Sequence, residues 1–142
     1  MSDNGTGQDL WTSDGTSSGT RLVRDILPGT NPFLIRAPTA LDGKLYFAVA
    51  ADGTTVFQVW TSDGSEPGTQ PLSNLFPGAF SSGADHLEGF NNFLYYTGFG
   101  SNTGVELWRF DPKTGVSGLV SDINPNQRLG SNPRNLTAVG NN

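Results

Sequence analysis

Val59-Trp60-Thr61-Ser62-Asp63-Gly64-Ser65-Glu66-Pro67-Gly68-Thr69 recurs as Leu10-Trp11-Thr12-Ser13-Asp14-Gly15-Thr16-Ser17-Ser18-Gly19-Thr20, identical at seven of eleven positions. In both, an apolar run ending on Trp breaks into a polar, Gly-punctuated segment, which reads as a strand entering a turn. The pattern opens a third time at Glu106-Leu107-Trp108. There Asp111-Pro112-Lys113-Thr114-Gly115 replaces the longer loop. It is a strong hairpin turn: Asp accepts backbone N–H groups, Pro fixes φ and Gly accepts the left-handed conformation.

Trp11, Trp60 and Trp108 are 49 and 48 positions apart. Three residues after each stands Asp14, Asp63 or Asp111, and seventeen after each stands Pro28, Pro77 or Pro125. Ile26, Leu75 and Ile123 lie two before those prolines, and Asp25, Asn74 and Asp122 lie one earlier still. So many matching offsets define an internal repeat. The chain reads as one repeat domain, 1–142, of units spanning approximately 1–43, 44–92 and 93–142.

Four strands are expected per unit. The first is an aromatic run, 44–50 and 93–99, apolar on both faces and therefore buried on both. The second ends on the Trp: 8–12, 56–61 and 105–110. The third covers 20–26, 69–75 and 116–123, and the weaker fourth covers 37–41, 86–90 and 136–139. Helical periodicity is absent. In the first unit the aromatic strand would precede the first residue, while Val139-Gly140-Asn141-Asn142 matches the residues that lead into it at Phe90-Asn91-Asn92-Phe93. One strand is thus expected to be missing at the seam. The expectation is an all-β, propeller-like array of three four-stranded antiparallel units, since short strands recurring every 40 to 50 residues fit propeller blades. A β-solenoid is the alternative, although its coils are usually shorter.

Composition narrows the function. With 19 Gly and 9 Pro beside 15 aromatic residues, the chain is too rich in core-forming rings to be a disordered linker. The formal charge of −5 and scattered basic residues give phosphates no concentrated positive surface, which disfavours nucleic acid. No apolar run is long enough to span a membrane as a helix, and the first residues lack the pattern of a signal peptide. Zero Cys excludes disulfides, thiolate metal sites and a Cys nucleophile.

The Trp-x-x-Asp-Gly-Thr/Ser-x-x-Gly-Thr core, complete at Trp60–Thr69, nearly so at Trp11–Thr20 and degraded after Trp108, resembles the bacterial ELWxxDGT repeat family over the whole chain. That resemblance implies propeller-like architecture, a place in a long exported or surface-associated protein, and no catalytic residues.

The residues that carry chemistry have plain structural readings. Asp14, Asp63 and Asp111 could ligate Ca2+ only if further oxygens converged on them; holding their own turns is the simpler role. His86, the only His, has no nucleophile partner in sequence. Asp9, Gln58 and Glu106 share one register, two before each Trp, and a carboxylate there invites comparison with glycosidases. A position repeated in every unit nevertheless argues for structure. Trp faces suit sugars, but a fixed register suits a repeating core. The expected function is a non-enzymatic interaction module, with no cofactor, outside the cell or at its surface, binding protein or carbohydrate. The alternatives are a fragment of a carbohydrate-active propeller enzyme or a calcium-binding repeat. The open seam predicts self-association or membership of a longer repeat array.

Overall fold

The computed structural model describes residues 9–26, 34–50, 57–72, 75, 84–125 and 130–140. Among these the secondary structure is all β, in three antiparallel sheets. The first sheet pairs β1 (Leu10–Thr12) with β2 (Arg21–Arg24). The second runs in chain order through β3 (Leu34–Leu41), β4 (Lys44–Ala50), β5 (Gln58–Ser62) and β6 (Gln70–Pro71). The third is the equivalent meander of β7 (Asp85–Phe90), β8 (Phe93–Gly100), β9 (Gly104–Asp111) and β10 (Val116–Ser121).

Two expectations change. Three strands are expected in the first unit (8–12, 20–26 and 37–41), but the first sheet has two among the described residues, because Leu34–Leu41 joins the second sheet. Leu136–Val139 forms no strand, because its backbone has no paired neighbour among them and so makes no ladder. The sheets also begin with the strand expected to be weakest. Leu41 pairs with Lys44 and Phe90 with Phe93, so each of these hairpins crosses a unit boundary drawn at the aromatic run. Asp42 (φ 50°) and Gly43 (φ 73°) turn the first hairpin, and Asn91 (φ 48°) and Asn92 (φ 64°) turn the second. Two successive left-handed residues make the turn whose twist matches that of the strands it joins, and Asp, Asn and Gly tolerate it best.

The opening strands share a second device. The ladder slips between Arg36 and Thr39 and again between Asp85 and Glu88, around Ala37 (φ 48°) and His86 (φ 53°). These are bulges, which bend a strand and re-aim its side chains. His86 thus holds a half-buried kink, its N–H donating to Asp85 Oδ1 at 2.8 Å. Asn135 (φ 54°) occupies the same register 49 residues on. The unpaired 136–139 segment therefore starts with the kink of an opening strand.

Alternation along each strand sends apolar side chains to both faces. On one face of the second sheet Phe47, Val49 and Trp60 pack with Ile26, and Leu10 joins them from the first sheet. On the other face Tyr46, Ala48 and Val59 pack with Leu87, Leu94, Tyr96 and Phe110 of the third. The Tyr96 hydroxyl donates to the Leu75 carbonyl at 2.9 Å across this layer. The same burial pushes its pKa up to about 12.

The anchors expected to be equivalent therefore differ in environment. Trp60 is 7% exposed and Trp11 is 49% exposed, while Trp108 packs against the core between the second and third sheets. Ile26 and Leu75 are buried but Ile123 is exposed, as is Pro125; Pro28 and Pro77 lie outside the described residues. Trp60→Ala should cost about 3–5 kcal/mol, as aromatic truncation in a packed core does. Trp11→Ala should cost less than about 1 kcal/mol in dilute protein. Urea denaturation of the two variants separates these outcomes.

Candidate functional site

Three places gather polar or apolar groups that could do chemistry: the Asp-Gly turns, the Glu106 carboxylate and the outer face of the third sheet.

The turns are self-contained. Asp63 Oδ1 accepts from Ser65 N–H (2.9 Å) and Ser65 Oγ (2.6 Å), Ser65 Oγ accepts from Gly68 N–H (3.0 Å), and Ser62 Oγ lies 2.7 Å from Thr69 Oγ1. Asp14 does the same with Thr16 N–H (2.9 Å) and Thr16 Oγ1 (2.7 Å), while Gly19 N–H donates to Thr16 Oγ1 and Ser13 Oγ faces Thr20 Oγ1. A β-carbon on Gly68 would lie 2.0 Å from Asp63 Oδ1, and one on Gly19 1.9 Å from Asp14 Oδ1. The Ser, Asp, Thr/Ser, second Gly and closing Thr positions thus each have a contact within the turn, and the first Gly supplies a left-handed backbone (Gly15 φ 91°, Gly64 φ 86°). In the shorter third turn Asp111 accepts from Lys113 N–H at 2.8 Å, and Gly115 closes onto the Asp111 carbonyl. These bonds hold all three carboxyls below the usual aspartate range, through Thr16 for Asp14, Ser65 for Asp63 and Lys113 N–H for Asp111. One oxygen of each carboxylate, Oδ1, is engaged by its own turn. No group of three or more His, Asp or Glu with metal-binding geometry occurs among the described residues.

Glu106 is different. It is fully buried, at 0% exposure, on β9. Its carboxylate accepts from Ile123 N–H (3.4 Å), Asn124 N–H (3.3 Å), Ser131 N–H (2.8 Å) and Ser131 Oγ (2.5 Å). Burial would raise its pKa, but the bonds from Ser131, Asn124 and Ile123 outweigh it and hold the group below the usual glutamate range. Asn132 N–H donates to the Val105 carbonyl at 3.0 Å beside it. Glu106 is thus a latch that fastens the chain after β10 onto β9. The register partners, half-buried Asp9 and exposed Gln58, sit in different surroundings. No sequence pattern marks Ser131 or Asn124 as partners of Glu106.

The latched segment runs along the third sheet. Ala138 N–H donates to Glu88 Oε1 at 3.2 Å, fifty residues back, as Gly89 N–H donates to Thr39 Oγ1 at 3.2 Å, also fifty back. Between segment and sheet lies a groove of about 370 Å³ lined by Glu88, Phe90, Tyr95, Leu107 and residues 136–139. Phe90 and Tyr95 meet at 6.5 Å between ring centroids, and Arg109 lies over the Phe93 ring at 4.9 Å. The groove is concave, mostly apolar and edged by one carboxylate. Its residues were legible as strand residues, but their exposure was not.

Because folding lowers its pKa, Glu106 contributes stability that is complete above the ordinary value of about 4.3 and lost as pH falls through the folded value. Glu106→Gln should cost about 1.5–3 kcal/mol at neutral pH, the scale of bonds to a charged acceptor. It should also flatten stability against pH below that value, as read by denaturant titration from pH 7 to 3.

In comparisons with known proteins, no family model matches the chain and no curated protein is significantly similar to it.

Proposed function

We propose that the chain is a non-enzymatic β-repeat module, a propeller-like arc of four-stranded units that works by apolar contact with a macromolecular partner. The observation that carries this reading is the outer face of the third sheet. Phe90, Tyr95 and Leu107 occupy the register of Leu41, Tyr46 and Val59, yet they stay half-exposed around a groove while those three are buried. Apolar surface of this kind, rimmed by polar groups, marks interaction sites. Sheets stacked face to face with repeated bulges and turns support the propeller-like arrangement over a solenoid, whose coils hydrogen-bond to one another along the stack. The likeness of the Trp-Asp-Gly pattern to ELWxxDGT repeats supports a place in a longer exported or surface protein.

The setting of Glu106 does not favour the glycosidase alternative. A glycosidase needs a carboxylate that meets its substrate, whereas Glu106 is sealed off by its own loop. A panel of glycoside substrates and a glycan array should show no turnover. Turnover abolished by Glu106→Gln, with the circular dichroism of the fold intact, would overturn the proposal in favour of a propeller enzyme. Millimolar Ca2+ should leave the melting temperature unchanged, since a cation held by the folded state alone would raise it; a rise lost in Asp63→Asn restores the calcium-binding reading.

A further inference from the structure

The two ends of the stack match each other. Within the chain, the Trp face of each full sheet meets the preceding sheet. Trp60 packs with Ile26, and Leu10 of the first sheet packs against the same cluster. Trp108 packs against the core that Tyr46, Val59 and Leu75 share. The first sheet has the same face, with Trp11 opposite Leu22 in the ladder as Trp60 is opposite Pro71. Here nothing among the described residues covers it, and the two side chains are 49% and 44% exposed. At the other end the third sheet presents the face that would receive a Trp. Phe90, Tyr95, Leu107 and Ile123 stand where Leu41, Tyr46, Val59 and Leu75 receive the third sheet. Beside them the latched segment carries Val139, 78% exposed, along the groove.

We infer that the groove of one molecule takes the Trp11–Leu22 face of a second copy of this chain, head to tail, repeating between molecules the contact made between sheets within each one. This rests on the reading of the outer face as an interaction surface and names its partner. The choice of a second copy follows from continuity with the internal interfaces: the chain itself supplies the residues that such a face packs against. The contact is heterologous, using a different patch on each side, so it closes into a ring or propagates. Two copies closing on each other would bring six units into one ring.

The test is the mass of the intact chain by size exclusion with light scattering, over a concentration series. The wild type should exceed the 15.1 kDa monomer, at twice that mass or a larger closed multiple. Trp11→Glu and Val139→Glu each alter an exposed side chain at opposite ends, so each should be folded and monomeric. Their apparent dissociation constants should rise by about 30-fold or more, as for loss of an interface anchor. Mixed in equal amounts, they should form a 1:1 pair, because one retains the groove and the other retains the Trp11 face. Leu22→Glu is the second probe of the Trp11 end and should match Trp11→Glu. A wild type that stays monomeric to high concentration overturns the inference, while the absence of enzymatic turnover would leave the module reading standing. Association that ignores Trp11→Glu and Leu22→Glu also overturns it, since it would join two grooves or another surface. A mixture that stays monomeric overturns it as well.

Discussion

A sheet that is apolar on both faces must be covered on both, and most of this structure follows from that requirement. In β4, Tyr46 and Ala48 point one way while Phe47 and Val49 point the other, and all four are buried. No single neighbour can achieve that. The second sheet therefore needs one layer on each side, and the flanking sheets supply them. The third sheet has the same alternation, and among the described residues a sheet covers one of its faces only.

The polar groups are arranged to leave that rule undisturbed. Asp14, Asp63 and Asp111 are engaged within their own turns, and Glu106 is surrounded by donors from the loop it holds. A buried carboxylate is costly unless its oxygens are satisfied, and four donors do so here. The gain is positional: the backbone beyond β10 is fixed against β9 rather than free in solvent, so the groove has two walls.

Sequence reading was strongest where the controlling contact is local. The Asp-Gly-Thr turn could be recognised because its partners lie two to seven residues apart. Even there, the reason for the second Gly, contact with the Asp side chain, emerged only from the geometry. The Trp register located the second strand of each unit but said nothing of exposure, which depends on whether a further sheet lies beyond. Anchoring on Trp also set the phase of the unit and hid the hairpins at Asp42-Gly43 and Asn91-Asn92, although both dipeptides are turn formers. The Glu106 latch was out of reach because its partners lie 17 to 25 residues downstream in a segment with no periodic signal.

The turn after each of the first two Trp residues has one more consequence. Its hydrogen bonds use the side chains at the Ser, Asp, Thr/Ser and closing Thr positions, with Ser18 Oγ adding a contact to Thr16 Oγ1 in the first loop; Glu66 contributes its carbonyl, which accepts from Thr69 N–H and Arg24. The side chains of Ser17, Glu66 and Pro67 take no part in the bonds that close these loops. Their loops are a frame with interchangeable occupants, so two units can differ in what they display at the rim without altering the strands beneath. Diversity of surface and constancy of scaffold are thereby assigned to different residues of the same eleven-residue motif.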